Sequence, residues 1–458
     1  MMAIPTLLLA VVPSTEQIGL LAPVLMVLIR LMQGFSVGGQ LVGSIVFAAE
    51  ESPRGRETGI TAIVLSGANI GTMFGAVVAT LCHAIFSEEQ LVHWAWRIPF
   101  VLGFVLSILA YVLQRGLRPV ESTGAQEYDT PSHAATTLPG EASDMLVSTF
   151  ALQALTKPVS PLKAVLGSRA GRRKLLACFC GYGVHSACFY VTFIFMPTFD
   201  VSILDLSATP SFALTVCGMF VTFTSAVLLA RYADKSIARI TQAARIDNSI
   251  DAIEVEREFG VQDDPCATRM SPAQHIAHSW RARLLWWAFL ALIPLAPVLF
   301  YIEQFAAYAM DGAVDGPQVA AAWIAASFAC LGMVIIEICI TSVISAWMVD
   351  LFPPPVRFSA MALALNLATV VFGGSAPVIC ETLASRSPRY SWTAGLFLSC
   401  VGALGILGLE LGDQDESESA SDSLVVAKIP SEVGLELQQL PYRTSPRSPI
   451  DARTAAFV

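Results

Sequence analysis

Two ionisable side chains stand in stretches of sequence that offer them no water. Arg30 interrupts the apolar run 22–49, and Glu337 is the only acid in the middle of any apolar run. A charge at such depth costs at least about 2.5–3.5 kcal/mol on insertion scales, so Arg30 is expected to face a cavity or a partner. A buried carboxyl is desolvated and an opposing cation counteracts that, so Glu337 could couple proton binding to shape or touch a charged solute. The alternative is a hydrogen-bonded packing residue. His185 also titrates near neutral pH in its unperturbed form, and reads as a packed or water-facing neutral imidazole. Gln33 and Asn366 add amides that could bond a solute or a neighbouring helix. Nothing in this set is enzyme chemistry, because the sequence shows no nucleophile–base pair, metal cluster or phosphate-cradling loop.

These groups need a scaffold, and the scaffold is apolar. About nine stretches of near twenty residues or more fall at 22–49, 58–85, 96–114, 175–199, 211–230, 284–302, 319–349, 359–383 and 392–411. About eighteen uncharged residues suffice to cross a bilayer as a helix, one of the two structures that satisfies its own backbone there. The chain is 55% hydrophobic and 14% charged, with a mean hydropathy of +0.63, where a soluble protein carries about a quarter charged residues. The expected class is an all-α polytopic membrane protein whose surroundings are lipid. The short run 3–12 lacks a basic flank and reads as the tail of a helix whose beginning is missing.

Charge gives an orientation. If run 22–49 ends on the cytoplasmic side, 23 of the 27 Lys and Arg fall in cytoplasmic segments, which places the long loops and the C-terminus there. Asp200 and Glu303 then count among the acids of the opposite loops. Much of the acid behind the net charge of -9 lies in 116–171 and 413–458, and no basic run suggests nucleic acid. The expected units are an N-terminal bundle 1–116, a disordered linker 117–171, a six-helix bundle 172–411 and a disordered acidic tail 412–458. A cytoplasmic insertion at 235–282 interrupts the second bundle, and Ile237, Ile240 and Ala244 could make part of it helical. The ten cysteines are scattered singly, apart from Cys178 and Cys180, and show no redox or zinc spacing.

A repeated pattern marks the cytoplasmic helix ends. Glu50 precedes Pro53 by three residues and Arg56 follows; Asp350 precedes Pro353 by three and Arg357 follows. Related halves are typical of carriers that rock about a central site. With Asp234 and Arg239, these charges could form ion pairs that close that side, or merely anchor helices. Arg30 and Glu337 lie roughly 10 Å apart in depth at 1.5 Å per residue, so they are not expected to pair. Gly67, Gly71 and Gly75 share one helix face and would let a neighbour approach closely.

Three stretches together resemble the major facilitator superfamily, and within it the metabolite–proton symporters that carry proline and betaine, citrate, 2-oxoglutarate or shikimate. They are Arg30 through Gln40, Trp96-Arg97-Ile98-Pro99-Phe100 with Glu121-Ser122, and Asp350 through Arg357 followed by Asn366 and Phe372-Gly373-Gly374. The resemblance implies two helical bundles of six, of which this chain lacks the first two helices and the gating motif between them. It implies a solute and proton role for Arg30, and a place on the path for Tyr190. Gln40 stands where the branch has Glu, which removes one proton carrier. Around Asp234 the second copy of the gating motif keeps Arg239 but has Ile237 where Gly is expected.

The resulting expectation is a monomeric secondary carrier of a small organic acid, amino acid or zwitterionic osmolyte, working by alternating access. It needs no cofactor beyond a proton as coupling ion. The rival is a non-transporting membrane sensor or scaffold, or an inactive or fragmentary relative.

Overall fold

The structure is a computed structural model describing residues 3–13, 15–37, 39–116, 161–246, 271–308, 316–386 and 388–426. Residues 1–413 form one compact unit and 414–458 a second. Every long element is a helix, and no strand occurs among the described residues. In chain order they are α1 (Ala3–Val11), α2 (Leu21–Val37), α3 (Gln40–Glu50), α4 (Glu57–Ile85) and α5 (Ile98–Gly116). There follow α6 (Arg169–Ser202), α7 (Ala208–Ile246), α8 (Pro272–Tyr308), α9 (Pro317–Leu351), α10 (Pro354–Ser385) and α11 (Ala394–Val426).

Eight described helices are long and apolar enough to cross a membrane, rather than nine. The difference is the run 22–49, which splits into α2 and α3 at Gly39. Gly39 stands at the N-cap of α3, a position that glycine tolerates well. Elsewhere helix outlasts expectation. Residues 161–171, placed in a disordered linker, contain the helix Pro161–Gly167 and the start of α6, where Ser168 accepts the Gly171 N–H at 3.3 Å. Likewise α7 runs on to Ile246 and α11 to Val426, since each added residue extends a helix already nucleated. The remaining expected linker, insertion and tail, at 117–160, 247–270 and 427–458, lie outside the described residues.

Turns and starts follow local chemistry. Gly55 takes φ +83 between α3 and α4, a conformation that suits glycine, and Glu57 accepts its N–H at 3.0 Å. Proline opens α9 and α10, where its missing N–H costs nothing. Pro297 inside α8 frees the carbonyl of Ile293, and Ser399 on α11 donates to it at 2.6 Å. Gly395 lies against the Pro297 backbone, where a side chain would collide.

The core belongs to the C-terminal helices. Phe195, Phe199, Phe289, Phe300 and Trp347 are among its largest fully buried side chains. In the N-terminal helices α2, α4 and α5 the apolar side chains Leu28, Phe74, Leu102 and Leu109 are exposed. Such faces suit a hydrocarbon solvent.

Candidate functional site

Two polar constellations interrupt this apolar body. The first lies deep in the C-terminal helices. Glu337 on α9 is 0% exposed and His185 on α6 is 3% exposed, and Nδ1 of the imidazole is 2.8 Å from Oε1 of the carboxyl. The hydroxyl of Thr341, one turn along α9, donates to the same oxygen at 3.0 Å. The contact between ring and carboxyl is close rather than well aimed: Nδ1 has no formed hydrogen bond, nor has the second carboxyl oxygen. A ring nitrogen and a carboxyl oxygen at that distance repel unless a proton lies between them. The pair is thus a place where one proton decides the local charge.

Its walls are aromatic and thiol. The rings of Tyr182 and Phe189 stand 5.2 and 6.4 Å from the imidazole, and Cys188 interacts with Glu337. Beyond it α6 passes through a π-helical turn at Val191–Phe195, and α10 through another at Thr369–Gly374. Tyr190 is half-buried there against Gly373, whose lack of a side chain admits the ring. π-helical turns occur often at functional positions, since they re-aim the side chains of a helix.

The second constellation joins the two halves at the end rich in Lys and Arg. Asp234 on α7 accepts the N–H groups of Thr58 at 3.2 Å and Gly59 at 2.8 Å, which caps the start of α4. Those N–H groups have no partner within their own helix, and the helix dipole favours an anion there. Arg281, buried at the start of α8, donates to the Thr58 hydroxyl through Nε at 3.1 Å and Nη2 at 3.0 Å. Its Nη1 meets Asp350 at the end of α9, at 2.5 Å. Arg357 on α10 reaches Glu50 at 2.7 Å and the carbonyls of Val349 and Phe352.

The expected gate residues thus divide. Glu50, Asp234, Asp350 and Arg357 all take part, and Glu50 pairs with the Arg of the other half. Arg56 and Arg239 are exposed and make no side-chain bond among the described residues. Arg281 replaces them and was missed; its signal was a basic residue just before the run 284–302, matching Arg357 before 359–383.

The expected path residues divide as well. Glu337 meets His185, an unexpected partner, while Tyr190 lies five residues further along α6 against Gly373 of α10. Arg30 is exposed on α2, where it touches Gln33 at 3.4 Å and lies over the Phe100 ring at 5.9 Å. Gln33 in turn donates to Thr6 at 3.2 Å. Gln40 and Asn366 are exposed, and Asn366 donates to the Ala362 carbonyl within its own helix. Gly67, Gly71 and Gly75 face open space, with no heavy atom within 4 Å of where a Cβ would stand. The close approach is made one face round, at Gly59, where a Cβ would stand 2.9 Å from Asp234 Oδ2.

A family model described as "Major Facilitator Superfamily" matches residues 1–246 of this chain. The chain belongs to the major facilitator superfamily. Two relatives of this superfamily chain agree with the proline and betaine branch that its motifs resemble. A "Putative proline/betaine transporter" of Staphylococcus aureus (strain COL) is 29% identical over 239 residues, covering 51% of this chain and 45% of the relative. The "Proline/betaine transporter" of Salmonella typhimurium (strain LT2) is 37% identical over 116 residues, covering 25% and 23%. The chain spans under half the length of these relatives. As a superfamily member it is an integral multi-pass membrane protein, and the two constellations are its candidate functional sites.

Proposed function

We propose that this protein is a proton-coupled secondary carrier of a small zwitterionic or carboxylate solute, of the proline and betaine kind. The supporting observation is the His185–Glu337 pair, a buried acid and base on two helices with one place for a proton. Protonated, the pair is neutral enough to travel within an apolar bundle. Without that proton the carboxylate needs water or a cationic group, and a solute ammonium or the opened path supplies one. Proton and solute occupancy then favour different arrangements of the helices, which is what coupling requires.

The charged network supports alternating access, since it ties α3 and α4 to α7, α8, α9 and α10 at one end. We assign that end to the cytoplasm, because Lys and Arg gather there. In this arrangement the latch is shut, and transport requires it to break and reform. Arg30, Gln33, Gln40, Tyr190 and Asn366 remain candidates for the solute path.

Purified protein in lipid vesicles, offered labelled proline or betaine, tests the reading. Accumulation is expected when the outside is acid and is expected to stop when a protonophore collapses the gradient. Uptake that ignores the gradient would remove proton coupling. No uptake and no exchange of either solute would favour a non-transporting membrane protein.

A further inference from the structure

The end of the helices away from the charged latch holds two acids that charge counting places in loops. Asp200, near the end of α6, and Glu303, near the end of α8, are buried at 3% and 1% exposure. Their carboxyl groups lie within hydrogen-bonding reach of each other. Phe199 and Phe300, on the same two helices, meet edge to face at 5.2 Å, and Phe195 lies 6.1 Å from Phe300. The other polar groups facing the pair are the Ser211 hydroxyl on α7 and the Cys330 thiol on α9, with Cys217 of α7 beside Cys330. Ser211 donates its hydrogen to the Ser207 carbonyl at 3.2 Å. No Lys, Arg or His among the described residues forms an ion pair with either acid. Asp200 Oδ1 and both oxygens of Glu303 receive no N–H or O–H from the protein.

Two adjoining buried carboxylates, with no cation paired to either among the described residues, cannot both be ionised. A proton between them joins one oxygen of each carboxyl in a hydrogen bond and removes one charge. We propose that Asp200 and Glu303 form a proton-binding carboxyl pair that holds one shared proton while the ends of α6 and α8 are packed together. Losing it leaves two negative charges in contact and forces those ends apart. Gln304 accepts the Trp392 N–H at 2.9 Å, so loosening of α8 reaches the connection before α11. Glu337 stands seven residues from Cys330, about 10 Å along α9, so this site is separate from the His185 pair. The inference does not rest on the transport reading.

The test is infrared difference spectroscopy of the full chain in lipid vesicles, between acid and alkaline buffers, with Glu303→Gln and Asp200→Asn compared. A protonated-carboxyl band that disappears on raising pH in the parent, and is missing from both variants, is the expected result. Melting temperature gives a second readout. A proton held by the folded pair and released on unfolding makes stability fall as pH rises. The parent should lose several degrees across that titration, and either variant should lose none of them. A band untouched by both substitutions, or an equal pH slope in parent and variants, would overturn the proposal. So would a band that responds to sodium and not to pH.

Discussion

The carboxylate of Asp234 holds the backbone N–H of Gly59 at 2.8 Å across a sequence separation of 175 residues. A side chain in one half of the chain therefore completes the start of a helix in the other. Because the bond requires contact between halves, it exists only while this end is shut. Asp234→Asn keeps the shape and removes the anion, which is worth about 0.3–1 kcal/mol at a helix N-terminus, up to about 2 when partly buried. Amide exchange at Thr58 and Gly59 should quicken by up to about thirtyfold, while amides in the middle of α9 keep their protection. Unchanged exchange at the α4 start would show that the cap contributes nothing.

Glycine substitutions on α4 should separate its two faces. Gly59→Ala places a Cβ against Asp234 and should lower the melting temperature and weaken the latch. Gly67→Ala, Gly71→Ala and Gly75→Ala meet open space and gain helix propensity, about 1 kcal/mol each at most. Their melting temperatures should hold or rise. A drop at the latter three comparable with Gly59→Ala would mean that the glycine stripe packs after all.

The two ion pairs of the latch should differ in weight. Arg281 is buried and serves both Asp350 and Thr58, so Arg281→Ala leaves the half-buried Asp350 carboxylate with His278 alone at 3.6 Å and should cost about 2–4 kcal/mol. Glu50 is largely exposed, and Glu50→Gln should cost about 0.2–1 kcal/mol, less at high salt. Denaturation in detergent with each single and double variant checks the order. Equal costs would contradict the assignment of Arg281 as the latch centre.

Much of this was legible from residue types. Apolar length disclosed the helices, and the matched pair of acid, proline and arginine stretches disclosed Glu50, Asp350 and Arg357. Depth along a helix argued against pairing Glu337 with Arg30, and the partner that Glu337 meets is His185. What a linear reading lacks is the neighbour across the gap. His185 reads as an ordinary buried imidazole until α6 is laid against α9. Asp200 and Glu303 sit at the edges of apolar runs, where charge counting assigns acids to loops; only packing shows that both are buried. The repeat of Gly67, Gly71 and Gly75 is a louder pattern than lone Gly59, yet the contact uses the lone residue.

The proline inside α8 offers a local check. Ser399→Ala leaves the Ile293 carbonyl without its donor and should cost about 1–3 kcal/mol in stability. Replacing Pro297 with Ala in the same background restores an N–H for that carbonyl and should recover part of the loss. If the double variant is no more stable than Ser399→Ala alone, the hydroxyl is not substituting for the missing helix bond.

The central claim concerns the proton at His185 and Glu337. Glu337→Gln keeps the size of the side chain but fixes it in an uncharged form. In lipid vesicles this variant should still exchange labelled solute for unlabelled solute across the membrane, yet fail to accumulate it against a gradient when the outside is made acid. Accumulation by Glu337→Gln equal to that of the parent under the same acid gradient would contradict the account.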